Sequence, residues 1–108
     1  MKDAFKAFKN YKIQKTTILG KKYKLWIANN AYKRGLGLSS IDSLPKGFGM
    51  IFCFDEMVTN SFTMKNTKIP LTIIFLDANF KILKSFKCRP FEKRSINPGM
   101  SYKYVIEI

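Results

Sequence analysis

Thr63, Lys65, Asn66 and Thr67 stand close together in the segment Ser61–Leu76, SFTMKNTKIPLTIIFL, between two apolar runs. An ammonium, an amide and two hydroxyls at this spacing suit the capture of a small anionic or sugar-like ligand, with Phe62 or Phe80 as a wall. Thr72, just past the Ile69-Pro70-Leu71 closure, completes the candidate ligand-binding set. The same residues also have a purely structural use. Asn66 and Thr67 can hydrogen-bond exposed backbone and hold a bend while Lys65 points to water. Pro70, which lacks a donor, then keeps its end of the strand at an edge or a bulge.

Catalysis is the less favoured reading, and no catalytic residue is expected. General acid–base work needs a group poised near neutral pH, usually His or a tuned carboxylate. The chain has no histidine. Its seven acids (Asp3, Asp42, Asp55, Glu56, Asp77, Glu92 and Glu107) are scattered along it. Lys65 would serve as a nucleophile only if burial or a cationic neighbour removed its proton. Thr63 and Thr67 have no evident base. Without His or clustered acids no metal site is expected, and no cofactor. Cys53 and Cys88 lie far apart without CxxC spacing and read as two reduced thiols.

The net charge of +13 is large for 108 residues. Seventeen of the twenty basic residues are Lys, a solvated point charge rather than the bidentate fork of Arg. Lys, Ile and Asn together are also what AT-rich coding gives, so codon bias competes with function as the source of the charge. Two basic concentrations stand out. Residues 2–24 include Lys6, Lys9, Lys12, Lys15, Lys21 and Lys22, and residues 81–94 include Lys84, Lys87, Arg89 and Arg94. Aromatics interleave with both, as on nucleic-acid surfaces, although the same aromatics suit core positions on alternate strand residues. The expected partners are an acidic protein surface or nucleic acid, besides the small ligand.

These groups must be positioned by a single small domain spanning 1–108, whose 46% hydrophobic content and ten Phe supply one core. Residues 2–15 form a basic entry segment with an apolar stripe of Ala4, Phe5, Phe8 and Tyr11, fit for a short helix that docks on the body or stays a loose arm. Thr16–Leu19 and Tyr23–Ala28 read as a hairpin around Gly20-Lys21-Lys22. Asn29 and Asn30 cap a helix over roughly Ala31–Leu38, where Gly35 and Gly37 point to close packing on a sheet. Strands follow at Met50–Phe54, Phe62–Met64, Leu71–Leu76, Lys81–Cys88 and Tyr102–Ile108, with turns at Asp55–Asn60 and Asp77–Phe80. On Lys81–Cys88, Ile82, Phe86 and Cys88 are assigned to one pleat face. The pattern predicts a mostly β protein (α+β), a small antiparallel barrel or sandwich with one short helix.

Three segments occur in a telling order: RGLGLSSIDSLPKGFGMIFCFDE (Arg34–Glu56), SFTMKNTKIPLTIIFLDANFKIL (Ser61–Leu83) and YKYVIEI (Tyr102–Ile108). Over about residues 23–108 the chain resembles domain-of-unknown-function family 192, a group of small uncharacterised proteins. The basic segment 1–15 lies outside the resemblance, and MKNTKIPL is its specific part. The chain departs from the family pattern at Thr63, where Trp is usual, at Thr72, where Asp is usual, and at Gly37, where Met is usual. The resemblance implies a mostly β fold and a polar site near Lys65-Asn66-Thr67. It implies no reaction.

The expected function is thus a non-catalytic binding or interaction module with a polar pocket around Lys65-Asn66-Thr67 and a basic face. Its alternatives are an accessory or decoration subunit of a larger assembly such as a phage particle, or a nucleic-acid-binding protein. A Lys-centred enzyme ranks below these. The charged N-terminus MKDAFKAFKNYK lacks the apolar centre of a signal peptide, and no apolar run approaches the roughly 20 residues of a membrane span. A cytoplasmic location, or a virion for a phage protein, is the matching expectation.

Overall fold

A computed structural model describes residues 3–108. The order of elements is α1 (Ala4–Ala7), β1 (Ile13–Ile18), β2 (Lys21–Ala28), α2 (Ala31–Leu36), β3 (Phe48–Val58), β4 (Leu71–Leu76), β5 (Ile82–Cys88) and β6 (Tyr102–Glu107). The six strands form one sheet in the order β1-β2-β3-β6-β4-β5. The mostly β expectation holds, and it takes the form of a single open sheet. β1 pairs with β2 and β5 with β4, and no ladder joins β1 to β5.

All the pairs are antiparallel except β2 with β3. A parallel pair needs a crossover long enough to return the chain to the same end of the sheet. Residues 29–47, which contain α2, supply it. The side chain of Asn30 starts that helix by accepting the Lys33 N–H at 2.9 Å, as its N-cap role predicts. The helix ends at Gly37, whose φ of 51° lies in the left-handed region. A β-carbon there would stand 3.3 Å from the Phe52 ring, so the missing side chain also lets the helix end settle onto β3.

Both faces of the sheet are apolar. Trp26, Phe52, Phe75, Tyr102 and Val105 belong to the larger core, which Ala4 and Phe8 of the entry segment join. The segment therefore docks, although Phe5 remains 52% exposed. Its first basic residue, Lys2, lies outside the described residues. A smaller cluster of Ile18, Leu25, Ile51, Ile74, Leu76 and Ile106 occupies the other face. This explains β2: Leu25 and Trp26 are adjacent and both buried, because strict alternation serves two apolar faces at once.

Three boundaries differ from expectation. α1 is a second short helix, capped by Asp3, whose carboxylate accepts the Phe5 N–H at 2.9 Å. β3 runs on through Asp55 and Glu56 to Val58, because its exposed end still pairs with Tyr102 after a register shift beyond Cys53. Phe62 contributes only an isolated bridge to Ile96 instead of a strand. The pleat assignment on β5 is corrected. A register shift between Phe75 and Leu76 turns Ile82 to the second face, while Phe86 and Cys88 stay with the larger core.

Candidate functional site

The loop before β4 folds back on itself through a turn in which the Thr67 N–H donates to the Met64 carbonyl at 3.0 Å. Thr63 accepts the Lys65 N–H on Oγ1 at 3.1 Å, so part of this polar cluster supports its own backbone. The Thr67 carbonyl in turn accepts the Phe91 N–H at 3.0 Å, which ties the turn to the loop after β5. Met64 and Ile69 are buried on either side and fix the turn to the core.

A cleft of about 350 Å3 opens between this turn and the end of α2. Thr63, Asn66 and Thr67 line one side, Arg34 and Gly37 the other, and Phe52, Phe54 and Phe62 provide aromatic surface. Glu107 of β6 also lines it. That carboxyl is the distinctive group. Its residue is only 5% exposed, and among the described residues neither a hydrogen bond nor an ion pair reaches it. Burial pushes its pKa up to about 8, because a carboxylate there would lose its water without gaining a partner. Below that value Glu107 carries its proton and presents one O–H donor beside an acceptor oxygen.

Arg34 is held at the cleft wall by two contacts. Its Nη1 donates to the Cys53 carbonyl at 2.9 Å, and its guanidinium lies 5.0 Å from the centre of the Phe54 ring. The helix therefore delivers a positioned cation rather than a mobile one.

The structure brings together three of the five ligand-binding candidates, Thr63, Asn66 and Thr67. Lys65 is exposed and lies outside the cleft lining. Thr72 sits on β4 between Leu71 and Ile73, which face the larger core, so its side chain belongs to the opposite face of the sheet. Of the two proposed aromatic walls Phe62 takes part, whereas Phe80 lies at the second face. Glu107, counted in the sequence only as one of seven scattered acids, is the cleft residue that reading did not single out. Its sequence signal was present: one acid inside the otherwise apolar strand VIEI, on the pleat shared with Val105.

The basic candidates Lys6, Lys9, Lys12, Lys15, Lys21, Lys22, Lys84, Lys87, Arg89 and Arg94 are all exposed. The first six belong to the entry segment and the β1–β2 hairpin, and the other four to β5 and the loop after it, at the other edge strand. Arg94 is paired with Glu92. Cys53 and Cys88 are free thiols, each pushed up in pKa chiefly by burial. Among the described residues no group of three or more His, Cys, Asp or Glu could hold a metal, and no helix is long and apolar enough to cross a membrane.

The fold has solved counterparts. A Sinorhizobium meliloti 1021 protein, named as a candidate transcription regulator, superposes with a TM-score of 0.77 at 25% identity, over 91% of this chain and 81% of that one. A protein of unknown function from Novosphingobium aromaticivorans DSM 12444 gives 0.75 at 20% identity, over 94% and 84%. No curated protein matches the chain. Residues 12–108, including the hairpin ahead of Tyr23, match the model of the family DUF192, described as an uncharacterized ACR, and the chain belongs to that family.

Proposed function

We propose that the protein is a non-catalytic binding module whose cleft holds a small sugar-like ligand. The observation that carries this reading is the buried carboxyl of Glu107, its pKa pushed up by burial, in the same cleft as Asn66 and Thr67. A hydroxylated ring asks for paired donors and acceptors, which a neutral carboxyl, an amide and a hydroxyl each supply. Phe54 and Phe62 offer apolar surface for its C–H faces. The lining includes one carboxyl and one guanidinium, Arg34, with no second group poised to exchange a proton with Glu107. Such a site binds a guest and lacks the pair of groups that acid–base turnover uses.

Titration calorimetry against a panel of neutral and acidic monosaccharides tests the reading. Asn66→Ala and Thr67→Val should each weaken the bound sugar roughly tenfold, the loss of about one hydrogen bond. Lys65→Met, outside the lining, should leave affinity unchanged. Binding that survives both cleft variants, or turnover of a sugar substrate, would refute it.

A second reading rests on a separate observation. Lys15 and Lys24 stand directly opposite each other on β1 and β2, and with Lys22 and Lys46 they line a recess that contains no acid. Like charges in direct register oppose folding unless something else offsets them. A bound polyanion would do so, and the regulator name of the Sinorhizobium counterpart agrees with nucleic acid in that place. If four phosphates are neutralised, affinity should fall on the order of a hundredfold between 50 and 200 mM salt.

A further inference from the structure

The second face of the sheet carries a groove of about 490 Å3 that shares no lining residue with the polar cleft. Its floor is Leu25, Ile51, Ile74 and Ile106, and both edge strands border it, β1 through Ile18 and β5 through Ile82. The two edges thus flank one apolar trough without pairing across it. Its volume is within the range of small-molecule sites, roughly 300–1,000 Å3.

The rim adds a second, independent observation. Leu19 and Phe80 line the groove from the tips of the β1–β2 and β4–β5 hairpins, and they are 87% and 57% exposed. Both have left-handed backbone, with φ of 49° and 63°. Bulky residues rarely accept that region, and here two of them do so while leaving apolar side chains in water along the rim of the groove. Phe80 is further fixed by stacking on Tyr104, with ring centres 4.2 Å apart.

Charge along the rim selects the occupant. No acidic side chain lines the groove. Lys21 stands in register with Ile18 at one hairpin tip, and Lys81 adjoins Ile82 at the other. The nearby acid, Asp77, is occupied by the backbone N–H groups of Asn79 and Lys81 at 2.8 and 2.9 Å. We propose that this groove binds the alkyl chain of a single-chain amphiphile with an anionic head, a free medium- or long-chain carboxylate, whose head is held by a lysine of a hairpin tip, Lys21 or Lys81.

Calorimetry on the full chain with octanoate, decanoate and dodecanoate, each below its micelle concentration, tests this. Affinity should rise about fourfold per methylene while the groove fills. Decanol should bind more weakly than decanoate, and the double variant Lys21→Glu/Lys81→Glu should abolish that preference. Leu19→Ser/Phe80→Ser should weaken both ligands, with only a small fall in melting temperature from the lost Phe80–Tyr104 stacking. Absence of saturable binding, affinity indifferent to chain length, or equal binding of alcohol and carboxylate would overturn the proposal. So would light scattering that shows a dimer dissociated by Phe80→Ser, because a second copy would then fill the trough.

Discussion

Gly49 lies so close to Glu107 that a β-carbon built on Gly49 would stand 2.5 Å from the Glu107 carbonyl oxygen. The same carbon would be 2.6 Å from Cγ2 of Ile108 and 3.1 Å from the Leu25 side chain. One obstacle is backbone, at the end of the β3–β6 ladder where Met50 pairs with Glu107, and cannot swing away. Gly49→Ala should therefore cost about 1–3 kcal/mol of stability, read as a shift in the denaturant midpoint. Because β6 carries Glu107, the carboxyl should titrate at a different pH in the variant. Wild-type stability would show that the strands separate more easily than this packing implies.

Glu107 also makes stability depend on pH. Its folded pKa, about 8, lies above the ordinary carboxyl value of 4.5, so the folded state holds the proton more tightly than the unfolded chain. Stability from this group is fully present below about pH 4.5 and is lost as pH rises through 8. The slope is at most about 1.4 kcal/mol per pH unit across that window. Glu107→Gln, neutral at every pH, should flatten the profile. An identical slope in wild type and variant would place the proton elsewhere.

Asn30 controls Arg34 at a distance. Removing its cap with Asn30→Ala should cost about 1 kcal/mol and loosen the helix that aims the guanidinium at the Cys53 carbonyl. Thermal melts give the first number. Faster hydrogen exchange at the Arg34 amide, which bonds to the Asn30 carbonyl, gives the second.

Tyr102 is buried, with its hydroxyl donating to the Asn60 carbonyl and its pKa pushed by burial up to about 12. Tyr102→Phe keeps the ring against Phe54 and Phe75 and leaves the carbonyl without that donor. A loss of about 1 kcal/mol is expected in urea titration. No loss would mean that water takes the position at no cost.

Local chemistry was legible wherever one residue type has one reason to be there. Asn30 as a cap, Gly20 at a hairpin and Leu71–Leu76 as a strand follow from propensity alone, and the structure has all three. The polar cluster was found because its residues adjoin in the chain. Glu107, Arg34 and Gly37 reach the same cleft only through the sheet order, which sets β6 between β3 and β4, and no local pattern encodes that order. Thr72 was misplaced for a related reason: its neighbours Leu71 and Ile73 and its neighbour-but-one Ile74 are all buried, so alternation could not tell which face it takes.

The open seam bears on why so many ammonium groups stand along this molecule. An unpaired strand is a template on which another chain can lay itself, and this sheet has two. Lys15 on β1, with Lys84 and Lys87 on β5, puts solvated charge on both templates. Copies that approach flank to flank meet mutual repulsion before their amides can zip together. Neutralising these lysines should first appear as fibrils or precipitate, with the isolated molecule folding as before.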